Sequence, residues 1–420
     1  MKYKAYTLFA CVICTFLVAC DKHKDSPSPT TVSKTTVIGL ILGDNSLSDY
    51  VSSDISEMCI GLEDVDLDKN NLVLYVDNRG SNSPSILSFK QSTQDHSKVV
   101  TDTIYRYSEK ESSADPKVLK DVLSRIITKY PAESYAMILW SHGQGWLPTP
   151  STEVENYIST KYFGQDTTGG GQEWMNISDL EDVIAYGQNL LGGNKKFDYL
   201  YFDACFMGNI ETAYQLRKTS NYYIASVAET PGTGGNYETL VPIMFNANTD
   251  RAKKIAEAYD LAYNDPEGHS GWTYGAQISV YDNSKMDALA NACQTTFSNI
   301  GIAQAIQGVN LYASDIQHFD RISFPAYFDF EQIMEKALTS SEYSPLETAL
   351  DNVVVYNARP ASVYSVNGGS FSMDVNCGLA AYFPQYSTYS TVQRYNNYFA
   401  TYDWAQNTQM TSWYPLVNYK

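Results

Sequence analysis

Two residues that could act together as a nucleophile and a base stand just after two predicted strands. His142 follows the apolar run Tyr135–Trp140, and Cys205 follows the apolar run Phe197–Phe202. In open α/β sheets ligands bind beyond the carboxyl ends of the strands, and neighbouring parallel strands lie about 5 Å apart. The imidazole and the thiol are therefore expected within reach of each other. A thiol that attacks an amide needs a base for its own proton and an acid for the leaving amine, and one imidazole serves both needs.

The backbone beside these two residues has features that suit acyl transfer. The N–H groups of Gly143 and Cys205 are candidates for an oxyanion hole, in which the loss of one donor costs about 2.7–4 kcal/mol. Gly143 has no side chain, so its backbone can approach a substrate closely. A helix is predicted to begin at Asn209, and a helix N-terminus lowers the pKa of a nearby thiol. A lowered thiol pKa is therefore expected for Cys205.

The elements that must position these residues alternate short apolar runs with helical periods from residue 35 onward. This alternation predicts an α/β fold with a mostly parallel sheet flanked by helices. Two further strands are predicted at Thr36–Leu42 and Asn71–Val76, and both are nearly continuous apolar runs, as expected for strands buried on both faces. The same part of the chain is predicted to hold a helix through Met58 and Leu62, helices over 116–129, 178–191 and 209–216, and a strand over 222–227.

The remainder of the chain is less regular. Residues 246–420 are expected to form a C-terminal α+β extension packed on a catalytic core of residues 35–245, because no linker or internal repeat separates the two parts. Within the extension we predict helices near 251–263, 285–306, 328–338 and 345–353, and strands near 277–281 and 379–383.

The first residues have the pattern of an export signal. Two lysines precede an apolar segment over 5–19, which is too short and wrongly flanked for an ordinary membrane-spanning helix. The segment ends in Leu17–Cys20, which resembles a bacterial lipobox, and this resemblance implies that Cys20 carries a lipid and that residues 1–20 are a lipoprotein signal. Residues 21–34 are polar and contain prolines, which is typical of a flexible tether. A plain signal peptide that happens to contain cysteines is the alternative.

Composition excludes some classes of function. The formal net charge of −18 argues against a nucleic-acid partner, because phosphate binding needs clustered Lys and Arg. An acidic surface weakly favours basic substrates. Four cysteines follow Cys20, and they are too few and too widely spaced for a disulfide scaffold.

The local sequences around the two candidate residues are more specific than their positions. Ser-His-Gly-Gln-Gly-Trp at 141–146 and Phe-Asp-Ala-Cys-Phe-Met-Gly at 202–208 together resemble the clostripain family of cysteine peptidases, in the caspase-like clan. Supporting matches lie at 43–47 and 378–384, so the resemblance covers residues 35–385. It implies a caspase-like sheet and an endopeptidase with Cys205 as nucleophile and His142 as its acid/base partner.

The resemblance also implies cleavage after Arg or Lys. In the family an acid at the position of Asp203 lies at the bottom of the pocket for the basic side chain, where a buried cation needs a paired carboxylate. The loop over 229–237 resembles the wall of this pocket. Thr233 stands where members often carry a second acid, and Glu229 is the nearest carboxylate in the loop. This departure weakens the inference of basic specificity.

Members of the family often mature by cutting themselves between the catalytic His and Cys. Between Leu147 and Gly171 this chain has one basic residue, Lys161, in a Pro- and Gly-containing segment where nicking concentrates. A Lys-specific enzyme would cut after Lys161, and the alternative is an enzyme active as a single chain. Some members use calcium, but no calcium site can be placed in this sequence.

Two other functions stay open at this point. One is a non-catalytic tethered binding protein with the same fold, and the other is a transpeptidase that uses the same two residues. For the peptidase we expect a monomer that acts on proteins or peptides. We expect it to be exported and anchored by its lipid to the periplasmic or outer face of a bacterial membrane.

Overall fold

The long apolar runs of the sequence form the inner strands of the fold. The structure is a computed structural model, and it describes residues 32–80, 84–95, 97–148, 163–247, 250–265, 272–367 and 369–412. The strands are β1 Ser33–Gly43, β2 Asn70–Asn78, β3 Ser85–Gln91, β4 Val99–Arg106, β5 Ala132–Trp140, β6 Phe163–Asp166, β7 Glu173–Met175, β8 Phe197–Asp203, β9 Ser220–Ala225, β10 Ser279–Asp282, β11 Phe328–Asp329, β12 Val354–Asn357, β13 Ser362–Ser365, β14 Gly369–Ser372 and β15 Ala380–Ala381.

The helices lie mostly between these strands. They are α1 Ser48–Leu62, α2 Pro116–Lys129, α3 Ile177–Leu190, α4 Ile210–Leu216, α5 Tyr237–Phe245, α6 Arg251–Asn264, α7 Met286–Phe297, α8 Ile300–Gln307, α9 Phe330–Ala337, α10 Ser340–Val353, α11 Ser390–Phe399 and α12 Asp403–Asn407. Short 3₁₀ turns occupy Thr168–Gly170, Asn283–Lys285 and Met410–Ser412. No helix in the described ranges has the length and apolar character that a membrane span requires.

One large sheet organises the described residues. It has nine strands in the order β12-β10-β9-β8-β5-β1-β2-β3-β4. The five inner strands, from β9 to β2, run parallel to one another. Antiparallel pairs extend the sheet on both sides, β10 and β12 at one edge and β3 and β4 at the other. The predicted mostly parallel sheet flanked by helices is confirmed.

Helices cover both faces of this sheet. Alternate residues of β1 point to opposite sides, so that Leu40 joins a cluster with α2 and α3 while Ile41 joins a second cluster with α1, α5 and α6. Two covered faces require apolar side chains at successive positions, which explains the nearly continuous apolar runs of the inner strands. The described residues from Val32 onward form one compact unit, in which β10 and β12 belong to the main sheet.

Three details differ from the sequence predictions. The helix predicted over 285–306 is two helices, because the Asn299 side chain accepts a hydrogen bond from the Gly301 N–H and starts α8. The strand predicted over 379–383 is only two residues long and pairs with β11, outside the main sheet. The strands β3 and β4 at one end of the sheet were not predicted; β4 is the edge strand, and most of its residues are exposed and its pattern is polar.

Candidate active site

The pairing of β5 with β8 places the two candidate catalytic residues side by side. Trp140 pairs with Asp203, and these are the last residues of the two strands. His142 and Cys205 each follow two residues later. A Cβ atom added to Gly143 would lie 2.6 Å from the carbonyl oxygen of Cys205. The loops that carry the imidazole and the thiol are therefore in direct contact at the carboxyl edge of the sheet.

The histidine loop is held at several points. The Ser141 hydroxyl donates to the carbonyl oxygen of Leu42 at 2.8 Å, which ties the loop to the end of β1. The His142 carbonyl accepts a hydrogen bond from the Gly164 N–H at 3.1 Å. Four residues further on, Trp146 is fully buried, and its ring packs against Tyr382 and other aromatic rings. The backbone at His142 is therefore fixed on both sides.

The cysteine lies on a strained turn. Phe206, directly after Cys205, has a φ of 57°, in the left-handed region that residues other than glycine rarely adopt. Such a conformation costs on the order of 1–3 kcal/mol and persists only where the surroundings enforce it. Here the Phe206 N–H donates to the Ala228 carbonyl at 2.9 Å, and its ring stacks on Tyr327 at 5.1 Å. These contacts hold the turn that presents the thiol.

The imidazole and the thiol each have another partner in this structure. Nε2 of His142 lies 2.7 Å from the Ser46 hydroxyl oxygen. Sγ of Cys205 accepts a hydrogen bond from the Thr230 N–H at 3.3 Å and lies 3.5 Å from the Thr230 hydroxyl. Among the hydrogen bonds of the described residues, none joins His142 to Cys205. Both side chains are half-buried.

Both groups are neutral at rest. Burial raises the pKa of the Cys205 thiol to about 11, which outweighs the hydrogen bonds from Thr230. Burial also lowers the pKa of His142. The expected lowering of the thiol pKa by a helix is wrong, because α4 begins close to the predicted place but burial of the thiol raises its pKa overall. A thiolate must therefore form when a substrate arrives, by transfer of the thiol proton to a base.

Two unpaired backbone donors lie beside the thiol. Neither the Gly143 N–H nor the Cys205 N–H makes a hydrogen bond to another described residue. The two residues pack against each other through their backbones. A pair of free N–H groups next to a nucleophile is the arrangement that stabilises the oxyanion of a tetrahedral intermediate.

Asp203 is buried behind the catalytic loops, with 5% of its surface exposed. Its Oδ2 accepts hydrogen bonds from the Gly235 N–H and from the Tyr237 hydroxyl, each at 2.7 Å. Burial raises the pKa of this carboxyl to about 6 despite the two donors. The loop over 229–237, the glycine loop, therefore folds over the carboxylate.

The other two candidate pocket residues turn away from Asp203. Oε2 of Glu229 accepts a hydrogen bond from the Val366 N–H at 2.7 Å, which links this loop to the turn between β13 and β14. Thr233 is exposed, and its hydroxyl oxygen lies 3.0 Å from the hydroxyl of Tyr263. Neither side chain takes part in the hydrogen bonds to Asp203 within the described residues.

Sequence reasoning missed two residues of the site. Ser46 lies in a segment that supported the family resemblance, but no role was assigned to its hydroxyl. Asp54 lies on α1 and borders the same glycine loop as Asp203. The sequence pattern could have identified Asp54, because this residue shares the apolar face of α1 with Val51 and Met58. A carboxylate at a core-facing position of a helix needs a reason to be there.

Some predicted residues lie outside the described ranges, namely Cys20 and Lys161. The other described cysteines carry free thiols, with Cys59 half-buried and Cys293 and Cys377 buried. Across the described ranges, no group of three or more His, Cys, Asp or Glu side chains is arranged to hold a metal ion.

Comparison with known proteins gives consistent matches over most of the chain. The sequence profile of the clostripain family matches residues 40–418. The chain is 24% identical to clostripain of Hathewaya histolytica over 442 residues, which cover 92% of this chain and 80% of clostripain. The structure resembles a secreted C11 cysteine protease from Bacteroides thetaiotaomicron in complex with an irreversible peptide inhibitor, with a TM-score of 0.75 and 31% identity over 90% of this chain and 100% of that one. It also resembles an inactive zymogen C11 protease from Parabacteroides distasonis, with a TM-score of 0.74 and 25% identity over 90% and 99% of the two chains.

Proposed function

The chain belongs to the clostripain family and is a cysteine endopeptidase, and we propose that it cleaves peptide bonds after Arg or Lys with Cys205 as nucleophile and His142 as base and acid. The observation that carries the proposal is the contact between the two loops. Gly143 packs against the backbone of Cys205 at the carboxyl edge of the sheet, with Asp203 buried directly behind them.

The proposed reaction begins from the neutral pair. As Sγ of Cys205 attacks the scissile carbonyl carbon, His142 takes the thiol proton, and the carbonyl oxygen gains negative charge. The free N–H groups of Gly143 and Cys205 are placed to stabilise that charge. The protonated imidazole then gives its proton to the leaving amine, and a thioester to Cys205 remains. Water, deprotonated by His142, hydrolyses the thioester and restores the thiol.

Ser46 positions the imidazole in this scheme. Its hydroxyl engages Nε2, while Nδ1 makes no hydrogen bond to another described residue. Nδ1 is therefore the nitrogen available for exchange of a proton with the thiol and the leaving amine. This hydrogen bond fixes the orientation of the ring, and when Nε2 carries the proton and donates it to the Ser46 oxygen, Nδ1 is unprotonated and can act as the base.

A basic side chain on the acyl side of the cut would enter toward Asp203. The described residues offer no Lys, Arg or His that forms an ion pair with this carboxylate. A buried carboxylate without a cation favours a ligand that carries a positive charge.

Two properties implied by the sequence extend the proposal. The chain is exported and held by a lipid on Cys20, in line with the secreted relative from B. thetaiotaomicron. It also cuts itself after Lys161, in line with the zymogen form of the P. distasonis relative.

The test is a fluorogenic peptide library that varies the residue before the cut, assayed with wild type, Cys205→Ala and His142→Ala. Wild type should turn over Arg and Lys substrates and bind one equivalent of a lysyl chloromethyl ketone. Each variant should lose amidolysis, because the two residues act as one unit. Melting temperatures close to that of wild type establish that both variants are folded.

Near-wild-type turnover by either folded variant would remove the proposed dyad. Equal turnover of Leu and Arg substrates by wild type would remove the basic specificity while leaving the peptidase assignment in place. Transfer of label to a residue other than Cys205, read by mass spectrometry, would reassign the nucleophile.

A further inference from the structure

A second buried carboxylate faces Asp203 across the glycine loop. Asp54, in the middle of α1, has 2% of its surface exposed, and its Oδ2 has no hydrogen-bond partner. A Cβ atom added to Gly234 would lie 2.9 Å from this Oδ2 and 2.9 Å from Oδ2 of Asp203. Two carboxylates from distant parts of the chain therefore both lie beside Gly234.

Only glycine fits between the two carboxylates at position 234. Gly234 has a φ of +65°, and any side chain there would meet both carboxylate oxygens and the Trp140 indole nitrogen, which lies 3.2 Å away. The Trp140 indole acts to lower the pKa of the Asp54 carboxyl, but burial and the neighbouring acids outweigh this effect. The loop therefore holds the two acids near each other, and a side chain at position 234 would displace one of them.

No basic side chain of the described residues neutralises the carboxylates around Gly234. No ion pair among the described residues includes Asp54, Asp203 or the nearby Glu57. Burial, together with the charge of Asp203, raises the pKa of Asp54 to about 8. The pKa of Glu57 is raised as well, chiefly by burial. Like charges at close range disfavour ionisation, and a cation placed among them reverses that effect.

The pocket lacks an acid at the place where the family often has one. Thr233 is exposed, and its hydroxyl pairs with Tyr263 instead of Asp203. The Glu229 carboxylate is engaged by the Val366 N–H. Asp54 and Asp203 supply the two carboxylate oxygens nearest to a side chain built at Gly234.

We propose that Asp54 is the second carboxylate of the specificity pocket and, with Asp203, binds the guanidinium or ammonium group of the residue before the cut. The role that the family often gives to an acid of the glycine loop is here carried by α1. A guanidinium has five N–H donors in one plane and can bridge two carboxylates. This inference rests on the proposed cleavage after basic residues.

The test compares peptides with Arg or citrulline before the cut. Citrulline has nearly the shape of Arg and no charge, so the ratio of the two kcat/KM values measures recognition of the cation. Wild type should favour Arg strongly. Asp54→Asn, which keeps the size of the side chain, should lower the Arg/citrulline ratio about tenfold or more, since Asp203 remains as one carboxylate of the pair. Adding Thr233→Asp to Asp54→Asn should recover part of the ratio.

The matched control is Glu63→Gln. Glu63 follows the last residue of α1 and pairs with Lys98 on the surface, so this variant removes the same charge without touching the pocket. Its ratio should equal that of wild type. Asp203→Asn serves as the positive control and should lower the ratio.

A second measurement does not depend on the folding of an Asp54 variant. In Cys205→Ala, binding of an arginyl peptide aldehyde at pH 7 should release close to one proton, because a cation ionises the neutral Asp54 carboxyl. Calorimetry in buffers with different ionisation enthalpies counts the protons. The citrulline analogue should release none.

The outcomes separate the two proposals. If wild type does not distinguish Arg from citrulline, the proposed basic specificity fails, and the role of Asp54 fails with it. If wild type and Asp203→Asn behave as expected while folded Asp54→Asn keeps the wild-type ratio, the role of Asp54 alone is overturned. Binding of the arginyl aldehyde without proton release overturns it as well.

Discussion

Gly143→Ala tests the contact on which the proposed oxyanion hole depends. The added methyl would lie 2.6 Å from the carbonyl oxygen of Cys205, 2.9 Å from the Ala204 Cβ and 3.2 Å from the Met207 Sδ. The first of these atoms is backbone and cannot rotate away. The histidine loop and the cysteine turn must therefore move apart, and the two free N–H groups move with them.

Gly143→Ala should lower both the stability of the protein and its kcat. Overpacking of this kind costs about 1–3 kcal/mol of stability. Misplacing one donor of an oxyanion hole lowers kcat by about 10²–10³. Because the oxyanion exists only in the transition state, KM should change little while kcat falls. Gly143→Ala is therefore expected to fold, with a lower melting temperature, and to lose about a hundredfold or more in kcat.

The assay is steady-state cleavage of a fluorogenic peptide with Arg before the cut, after titration of active sites with a chloromethyl ketone. Gly171→Ala is the matched control, because a Cβ at Gly171 meets no atom within 4 Å. It should keep the wild-type kcat. A Gly143→Ala enzyme with wild-type kcat would refute the oxyanion role of this loop, and a large rise in KM alone would point to substrate binding instead.

Two further predictions concern the thiol and the processing site. With a Cys205 pKa of about 11, its thiolate fraction at pH 7 is about 10⁻⁴ and rises tenfold per pH unit. Alkylation of Cys205 by iodoacetamide, followed by mass spectrometry, should therefore accelerate about a hundredfold from pH 7 to pH 9; a plateau from pH 7 would instead show a resting ion pair. Purified wild type should give two bands on a denaturing gel, with the cut after Lys161, and Cys205→Ala one band. Full activity of an uncut Lys161→Ala variant would show that cleavage is not needed for activation.

The inner strands could be predicted because their pattern has one physical cause. A parallel strand covered by helices on both faces must be apolar at successive positions, and the predicted strands at Thr36–Leu42, Asn71–Val76 and Tyr135–Trp140 all lie inside β1, β2 and β5. The edge strands β4 and β12 have no such requirement, because all residues of β4 and β12 are exposed or only partly buried. Their pairing is decided by tertiary context, which a local pattern does not contain.

The residues of the site likewise differ in how far the sequence could predict their positions. The placement of His142 and Cys205 at one edge follows from the order of strands and motifs in the chain. Asp54 is about 150 residues from Asp203 in the sequence. Only the packing of α1 against the glycine loop places both carboxylates beside Gly234.

The fold class, the family and the two candidate catalytic residues could be recognised from the amino-acid sequence. Each of these depends on local apolar runs and motifs, which are the same before and after folding. The protonation of the thiol, the contact of the imidazole with Ser46 and the proximity of Asp54 to Asp203 could be recognised only in the folded protein. These properties arise from desolvation and from contacts between distant segments, and both exist only once the chain is folded.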